Sequence, residues 1–412
     1  MKAVLVRSAV LSAALTFALS PFAFAVNAAN QTAVDNGGAY LAGLQAADGH
    51  IGNAPAGDTD WSAVALAAAG RDLGTVQTAG GTSLRAYLAG HVPGASATPN
   101  DWARGIIAIT ADGQNPYDFG GTNYVAKLKS FATGHQLGSA TDTNDDFFGL
   151  IALAAARVPN TDPVLADEVA AVLSYQHADG GFTYTTGPAT GSDVDDTAAA
   201  ITALRAAQAS GAGTAAVATA LAAAQSYVMP LQHADGGFPF NPAFGPDSNV
   251  SSSAWTLIAL NALGLGDATA GAAAQGYLSS QQLPDGSFPS SFTPGVGDIF
   301  DTTPAVTALA GATWPAKIYA GALPVVQDPT PSPSPSPSVS PSPTPSATPS
   351  PAPAGIVLGA SATPTPTPTT GSVLGASTLP AVGEVANLTL LLIAFAFAST
   401  AGLAVYLRQR RR

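Results

Sequence analysis

The chain has 412 residues, of which only 10% are charged and 47% are hydrophobic. This apolar composition excludes a wholly disordered protein, and the absence of Cys excludes disulfides, zinc-thiolate centres and a Cys nucleophile. A formal net charge of −12 is opposite to that of a nucleic-acid-binding surface, so we expect no nucleic acid among the partners.

Residues 1–28 are predicted to be a secretory signal peptide. Lys2 and Arg7 form a charged beginning, and an apolar run follows from Ala9 to Phe24. Small residues at Ala23 and Ala25, or at Val26 and Ala28, offer cleavage sites. The alternative is an N-terminal membrane helix that is not cut. Both interpretations place the rest of the chain outside the cytoplasm.

Residues 29–326 contain a repeated motif, Gln-x-x-Asp-Gly-x-apolar. Asp-Gly and Gly-Gly pairs are typical of turns, because glycine accepts a positive φ. Each copy follows a stretch with a helical pattern, so the motif predicts the end of one helix and the approach to the next. The four copies are Gln45–Ile51, Gln176–Phe182, Gln232–Phe238 and Gln282–Phe288.

A second motif, an Ala-rich helix preceded by a short polar residue, occurs six times in the same region. These helices lack a wide polar face, which is typical of helices buried on all sides. Six helix pairs with one thin, buried set predict an all-α fold that closes into an α/α toroid, with an open solenoid as the alternative. The predicted N-cap residues are Asp58, Asp101, Asp145, Asp196, Ser252 and Asp301.

The Gln-x-x-Asp-Gly-x-aromatic repeats resemble those of the squalene cyclase and protein prenyltransferase superfamily, also called terpenoid cyclase-like. The resemblance covers essentially all of residues 29–326 and implies a toroid with a central cavity. It also implies that Gln45, Gln176, Gln232 and Gln282 are structural ties between helices. This region is large enough for one α domain where the cyclases have two, and the zinc site of the prenyltransferases requires a Cys that is absent here.

Asp193, Asp195 and Asp196 belong to the sequence Asp-Val-Asp-Asp-Thr-Ala, which matches the Asp-x-Asp-Asp-Thr-Ala motif of class II terpene cyclases. The resemblance implies that Asp195 protonates an alkene or epoxide and that the other two carboxylates support it. The alternative is structural, because the other repeats carry Asp, Asn or Ser at the same positions. We expect no metal and no cofactor.

Trp61, Phe148 and Trp255 share one position near the start of three predicted inner helices. They are candidate ligand-binding residues at the mouth of the cavity, with packing between helices as the alternative. His177 and His233 occupy equivalent positions in two repeats, too far apart around a ring to share a metal.

Residues 327–378 are rich in Pro, Ser and Thr and predict an extended linker without a core. In residues 379–412, the sequence Leu-Pro-Ala-Val-Gly precedes a 23-residue uncharged apolar run, 385–407, and a tail rich in Arg. The combination resembles a sortase signal with cleavage between Val382 and Gly383, although that family has Thr where Val382 stands. A permanent transmembrane anchor, with the body on the extracellular face, is the simpler prediction.

The predicted function is an exported, membrane- or wall-anchored module that binds a ligand or partner without catalysis. The expected ligands are a small apolar molecule, a corrinoid or a glycan, since toroids of related architecture include extracellular cobalamin carriers. The alternatives are a terpene cyclase-like enzyme using Asp195, a glycan-active α/α-barrel enzyme and a structural surface protein. A centre plugged by side chains would favour the structural role.

Overall fold

A computed structural model describes residues 28–52, 57–186, 191–243, 245–291 and 293–324, which are mostly helical. The outer helices of this part are α1 Gln31–Gly43, α3 Leu84–Gly90, α5 Tyr124–Lys129, α7 Pro163–Ser174, α9 Ala215–Val228 and α11 Thr269–Gln281. The inner helices are α2 Gly57–Ala68, α4 Pro99–Ala111, α6 Thr143–Ala155, α8 Val194–Ala207, α10 Val250–Ala262 and α12 Ile299–Leu309.

The six inner helices form a closed ring. Each packs against the next in chain order, and α12 packs against α2. The outer helices α5, α7, α9 and α11 each pack against the inner helix before them, and α1 packs against α12. The predicted all-α fold is confirmed, and the contact between α12 and α2 distinguishes a toroid from an open solenoid.

The two rings differ in burial because their sequences differ. Every residue of α6 is buried, and its many small side chains allow neighbouring helices to approach closely. By contrast, α9 buries one stripe of side chains at helical spacing and leaves the rest toward solvent. That stripe comprises Val217, Ala220, Leu221, Ala224 and Val228.

In three of the four copies, the glutamine of the repeated motif ties neighbouring outer helices together, as the family resemblance implies, whereas Gln45 donates to the carbonyl of Val76 in the loop before α3. Gln176 Nε2 donates to the carbonyl of Gly180 in its own turn and to that of Ala220 on α9, both at 2.8 Å. Gln282 Nε2 donates in the same way to Ala33 on α1, at 2.8 Å, across 249 positions of sequence. The last copy of the motif therefore fastens the end of the ring to its beginning.

The glycine and the aromatic residue of the motif each have a structural role of their own. Gly180 has a φ of 91° and faces the Ala223 carbonyl so closely that a Cβ would lie 2.5 Å from its oxygen. The Phe182 N–H donates to the Thr197 hydroxyl of α8 at 2.9 Å, which connects the turn to the inner ring. Equivalent bonds run from Ile51 to Thr59, from Phe238 to Ser253 and from Phe288 to Thr302.

The strands described are three short antiparallel hairpins, in agreement with the low strand content expected. They precede inner helices α6, α10 and α12. Their strands are β1 Ala132–Thr133 with β2 Gln136–Leu137, β3 Phe238–Asn241 with β4 Gly245–Asn249, and β5 Phe288–Pro289 with β6 Gly297–Asp298.

The predicted N-caps need correction, because the inner helices begin earlier than expected. Asp193 caps α8 by accepting from the Asp196 N–H at 2.8 Å, so Asp196 is the third residue of the helix rather than its cap. Asp101, Asp145, Ser252 and Asp301 likewise lie inside the first turn, behind the caps Thr98, Asp142, Asn249 and Asp298. Asp58 lies within α2. Both positions favour short polar side chains, since the first-turn N–H groups are free.

The segment 310–324, named here the C-terminal strap, follows α12 and crosses to the opposite side of the ring. The Tyr319 N–H donates to the carbonyl of Ala155, the last residue of α6, at 2.8 Å. Arg157 donates to the Gly321 carbonyl at 3.3 Å. Asn261 of α10 holds the start of the strap by donating to the Ala312 carbonyl at 2.8 Å. The strap therefore connects α12 with α6 and α10.

Several predictions concern residues outside the part that the structure describes. These are the signal peptide up to residue 27, the linker beyond residue 324, the sortase-like site at Val382 and Gly383, and the apolar run 385–407. Among the described residues, none of the helices is both long enough and apolar enough to span a membrane.

Candidate functional site

Four aromatic rings meet inside the inner ring of helices. Trp61 of α2, Phe148 of α6 and Trp255 of α10 come from alternate helices, and Trp314 of the strap packs against all three. The distances between ring centroids run from 4.6 Å for Trp255–Trp314 to 6.0 Å for Phe148–Trp314. The structure thus brings the three predicted ligand-binding residues together, but they pack on one another around a fourth ring.

Trp314 is the member of this cluster that the sequence analysis did not single out. It is 3% exposed, and it follows the last repeat, where no periodicity points to it. The available signal was a large aromatic residue in an otherwise Ala- and Gly-rich stretch close behind α12. Together the four rings fill the centre of the toroid at this level.

A shelf of polar side chains lies one helical turn from the aromatic cluster, toward the N-terminal ends of the inner helices. Asn144, Asp195 and Ser251 are each the second residue of their helix. Asn144 and Ser251 precede Phe148 and Trp255 by four residues and so share their helix faces. We name Asn144, Asp195 and Ser251 the polar shelf.

Asp195 is the titratable member of the shelf. It is 8% exposed, and its Oδ1 atom is buried without a hydrogen-bond partner. Burial raises the pKa of Asp195 to about 7, a rise that the nearby Ser252 hydroxyl opposes and the Asp196 carboxylate increases. The carboxyl therefore holds its proton over a much wider pH range than an exposed aspartate does.

The two neighbouring aspartates have different surroundings. Asp193 caps α8 through its bond to the Asp196 N–H, and burial beside Asp196 raises the pKa of Asp193 well above its usual value. Burial raises the pKa of Asp196 to about 6, against the effect of Asp193 and of the Asn144 amide. The three carboxyls of the motif thus lie close together, and all three favour the protonated form more than exposed aspartates do.

Further buried polar atoms near the shelf have no partner in the described part of the chain. Both side-chain atoms of Asn144 fall outside hydrogen-bond geometry, although its amide approaches Asp196 closely enough to lower the pKa of that residue. The hydroxyls of Ser252 and Thr183 are also unpartnered. Since buried polar groups are normally hydrogen-bonded, this concentration of free donors and acceptors is a feature of the inner ring that a polar ligand or ordered water would satisfy.

The histidines and acids described do not assemble a metal centre. Within the described ranges, no group of three or more His, Cys, Asp or Glu side chains could hold a metal ion. His177 Nδ1 lies 3.0 Å from the Ser192 hydroxyl, and His233 Nδ1 lies 2.9 Å from that of Ser248. Each histidine therefore connects a turn with the segment just before the next inner helix of the same repeat.

No protein family model matches the sequence, and no curated protein sequence matches it. The solved structures that resemble it include the type II terpene cyclase MstE from Scytonema, in complex with geranylgeranyl dihydroxybenzoate. MstE shares 15% identity and a TM-score of 0.49 over 68% of this chain and 97% of its own. A protein from Actinoplanes shows 17% identity and a TM-score of 0.48, over 68% of this chain and 98% of its own. A glycosidase in complex with glucose shows 14% identity and a TM-score of 0.46, over 68% of this chain and 95% of its own. Similarity at this level transfers no activity to this chain.

Proposed function

We propose that this chain is a binding module for a neutral saccharide, held at the polar shelf. The observation that carries the proposal is the set of buried, unpartnered polar atoms of Asn144 and Asp195, one turn from the aromatic cluster. A sugar ring offers hydroxyls that both donate and accept, together with an apolar face that packs on aromatic rings. The acidic shelf and the net charge of −12 disfavour anionic sugars.

Larger ligands suit the site less well. A corrinoid or a polycyclic lipid would need the centre of the ring, where Trp61, Phe148, Trp255 and Trp314 lie in mutual contact. Trp61 is the partly exposed member of the cluster, so it is the ring that a sugar could reach. The same filled centre weighs against terpene cyclisation, although a carboxyl with a pKa of about 7 could donate a proton.

The proposal includes export and anchoring. Residues 1–28 would direct the chain out of the cytoplasm, and 385–407 would hold it in the membrane with the basic tail inside. The Pro-rich segment would keep the toroid at a distance from the membrane surface. Cleavage between Val382 and Gly383 by a sortase would instead attach the toroid to the cell wall.

The test is calorimetric titration of the full chain in detergent with neutral mono- and oligosaccharides. We expect saturable binding by the wild type, loss of binding by Asp195→Ala and weaker binding by Trp61→Ala. The matched control is Asp118→Asn, an exposed aspartate on a loop, which should bind as the wild type does. Unfolding of each variant is followed in parallel, so that loss of binding is separated from loss of fold.

Two outcomes would overturn the proposal. The first is that no neutral saccharide binds the wild type, which would favour the structural role expected of a ring whose centre is filled by side chains. The second is that a polyprenyl substrate, incubated with the wild type, gives a cyclised product that Asp195→Asn does not form. That result would make Asp195 the acid of a cyclase.

A further inference from the structure

A concave site separate from the polar shelf lies on the outer side of α2 and α4. The outer helices here, α3 and α5, have 7 and 6 residues, whereas α7 and α9 have 12 and 14. The short helices leave a cavity of about 220 Å³ over the contact between α2 and α4, named here the α3–α5 cavity. These repeats are also the ones without the Gln-x-x-Asp-Gly motif.

A buried ion cluster forms part of the wall of this cavity. Arg104 is 6% exposed, and its Nε donates to Asp60 Oδ2 at 3.2 Å while its Nη2 donates to Asp101 Oδ1 at 2.6 Å. The other oxygen of Asp101 accepts from the N–H and hydroxyl of Thr98. One guanidinium is thus shared by two carboxylates, which leaves the ionised cluster with one net negative charge.

Asp60 is the member of the ion cluster whose carboxylate can still accept a hydrogen bond. Among the described residues, its Oδ1 accepts no hydrogen bond, and the residue lines the cavity. Burial raises the pKa of Asp60 to about 6, an effect that Arg104 only partly offsets. A cation at this oxygen would stabilise the charged form that burial now disfavours.

Aromatic side chains form much of the remaining wall. Tyr87, Phe119 and Tyr124 are all nearly buried and all line the cavity. His91 stacks on Tyr87 with a centroid distance of 3.8 Å, and Phe119 packs edge-on to Tyr124 at 6.2 Å. Aromatic faces attract cations, and their hydrocarbon surface packs against an apolar body.

We propose that the α3–α5 cavity binds a small organic cation with an apolar body, the class of an arylalkylammonium. The ammonium group donates to Asp60 Oδ1, and the hydrocarbon part packs against Tyr87, Phe119 and Tyr124. An anion fits less well, because Arg104 already bonds two carboxylates and the cluster carries a net negative charge. The site is separate from the polar shelf and does not depend on the saccharide proposal.

The test uses three probes of similar shape and different charge: benzylammonium, benzyl alcohol and benzoate. Each is titrated into the full chain by calorimetry, and methyl NMR signals of Leu88 and Ile109, which line the cavity, report the location. We expect benzylammonium to bind at least about tenfold more tightly than benzyl alcohol, and benzoate not to bind. Asp60→Asn should weaken benzylammonium about tenfold, while Asp118→Asn should leave it unchanged.

Since Asp60 also holds Arg104, Asp60→Asn could unfold the protein, and the wild-type probe series then decides alone. Equal binding of benzylammonium and benzyl alcohol, tighter binding of benzoate, or shifts that leave Leu88 and Ile109 unaffected would overturn the proposal. Asp195→Ala should still bind benzylammonium, so a failure of the saccharide site is distinguishable from a failure of this one.

Discussion

Replacing Asp195 by Asn should reduce the pH dependence of stability. Burial raises the pKa of Asp195 from 3.8 to about 7 in the folded protein, whereas the unfolded chain keeps the ordinary value. The folded state therefore binds the proton more tightly than the unfolded state does. The stability that Asp195 contributes is fully present below pH 3.8 and is lost as the pH rises through about 7.

The size of the effect follows from the two pKa values. Each unit of pKa difference corresponds to about 1.4 kcal/mol, and most of this difference is expressed between about pH 5 and about pH 8. Over that interval the wild type should lose about 2.5 kcal/mol of unfolding free energy through Asp195 alone. Asparagine has nearly the same shape and does not ionise, so the variant should lose correspondingly less.

Urea unfolding at both pH values measures this difference. Asp145 and Asp301 also have raised pKa values, so the total change in the wild type should exceed the share of Asp195. Comparison of wild type with Asp195→Asn isolates that share, and Asp118→Asn, at an exposed position, should behave as the wild type. An equal loss of stability from acid to alkaline pH in wild type and Asp195→Asn would refute the reasoning.

Substitutions at three other residues test the central packing, a tie between outer helices and the protonation of a buried carboxyl. Trp314→Ala should cost about 3–5 kcal/mol in thermal unfolding, and Trp314→Phe much less; equal, small effects would show that the ring is not central to packing. Gln282→Ala should lower the unfolding free energy by about 1–2 kcal/mol and speed hydrogen exchange in α1, to which Gln282 donates. Unchanged hydrogen exchange in α1 would contradict this prediction. Burial and the Asp146 carboxylate raise the pKa of Glu168 to about 11, so this side chain is uncharged at pH 7. Glu168→Gln should therefore leave the unfolding free energy at pH 7, measured in urea, almost unchanged. A large loss of unfolding free energy would mean that Glu168 is ionised.

Much of the fold could be predicted because it repeats. The period of the Ala-rich helices indicated two rings of six helices, and the family resemblance of the motif containing Gln282 implied the ties between helices. Closure was less certain from sequence, since it depends on the contact of α12 with α2 and on the bond from Gln282 to Ala33. No local pattern reports a bond between residues so distant along the chain.

The details that sequence reasoning missed lie where the repeat is broken or ambiguous. Asp193 and Asp196 are both good first-turn residues, so composition could not say which one caps α8. Trp314 stands outside the repeats and reaches the centre of the ring only through the path of the strap. The surroundings of Arg104 depend on the shortness of α3 and α5. In the sequence, the only indication that these two outer helices are short was the missing Gln-x-x-Asp-Gly motif in their repeats.

The C-terminal strap has a mechanical consequence. Residue 324 is its last residue, and the remaining chain, with the predicted anchor, continues from there. A pulling force applied along that chain would load the bonds of Gly321 to Arg157 and of Tyr319 to Ala155 before it reached α12. If the strap peeled away, Trp314 would be drawn from among Trp61, Phe148 and Trp255, and the centre of the ring would open. If the predicted anchor holds the chain, the strap would couple tension in that anchor to the interior of the toroid.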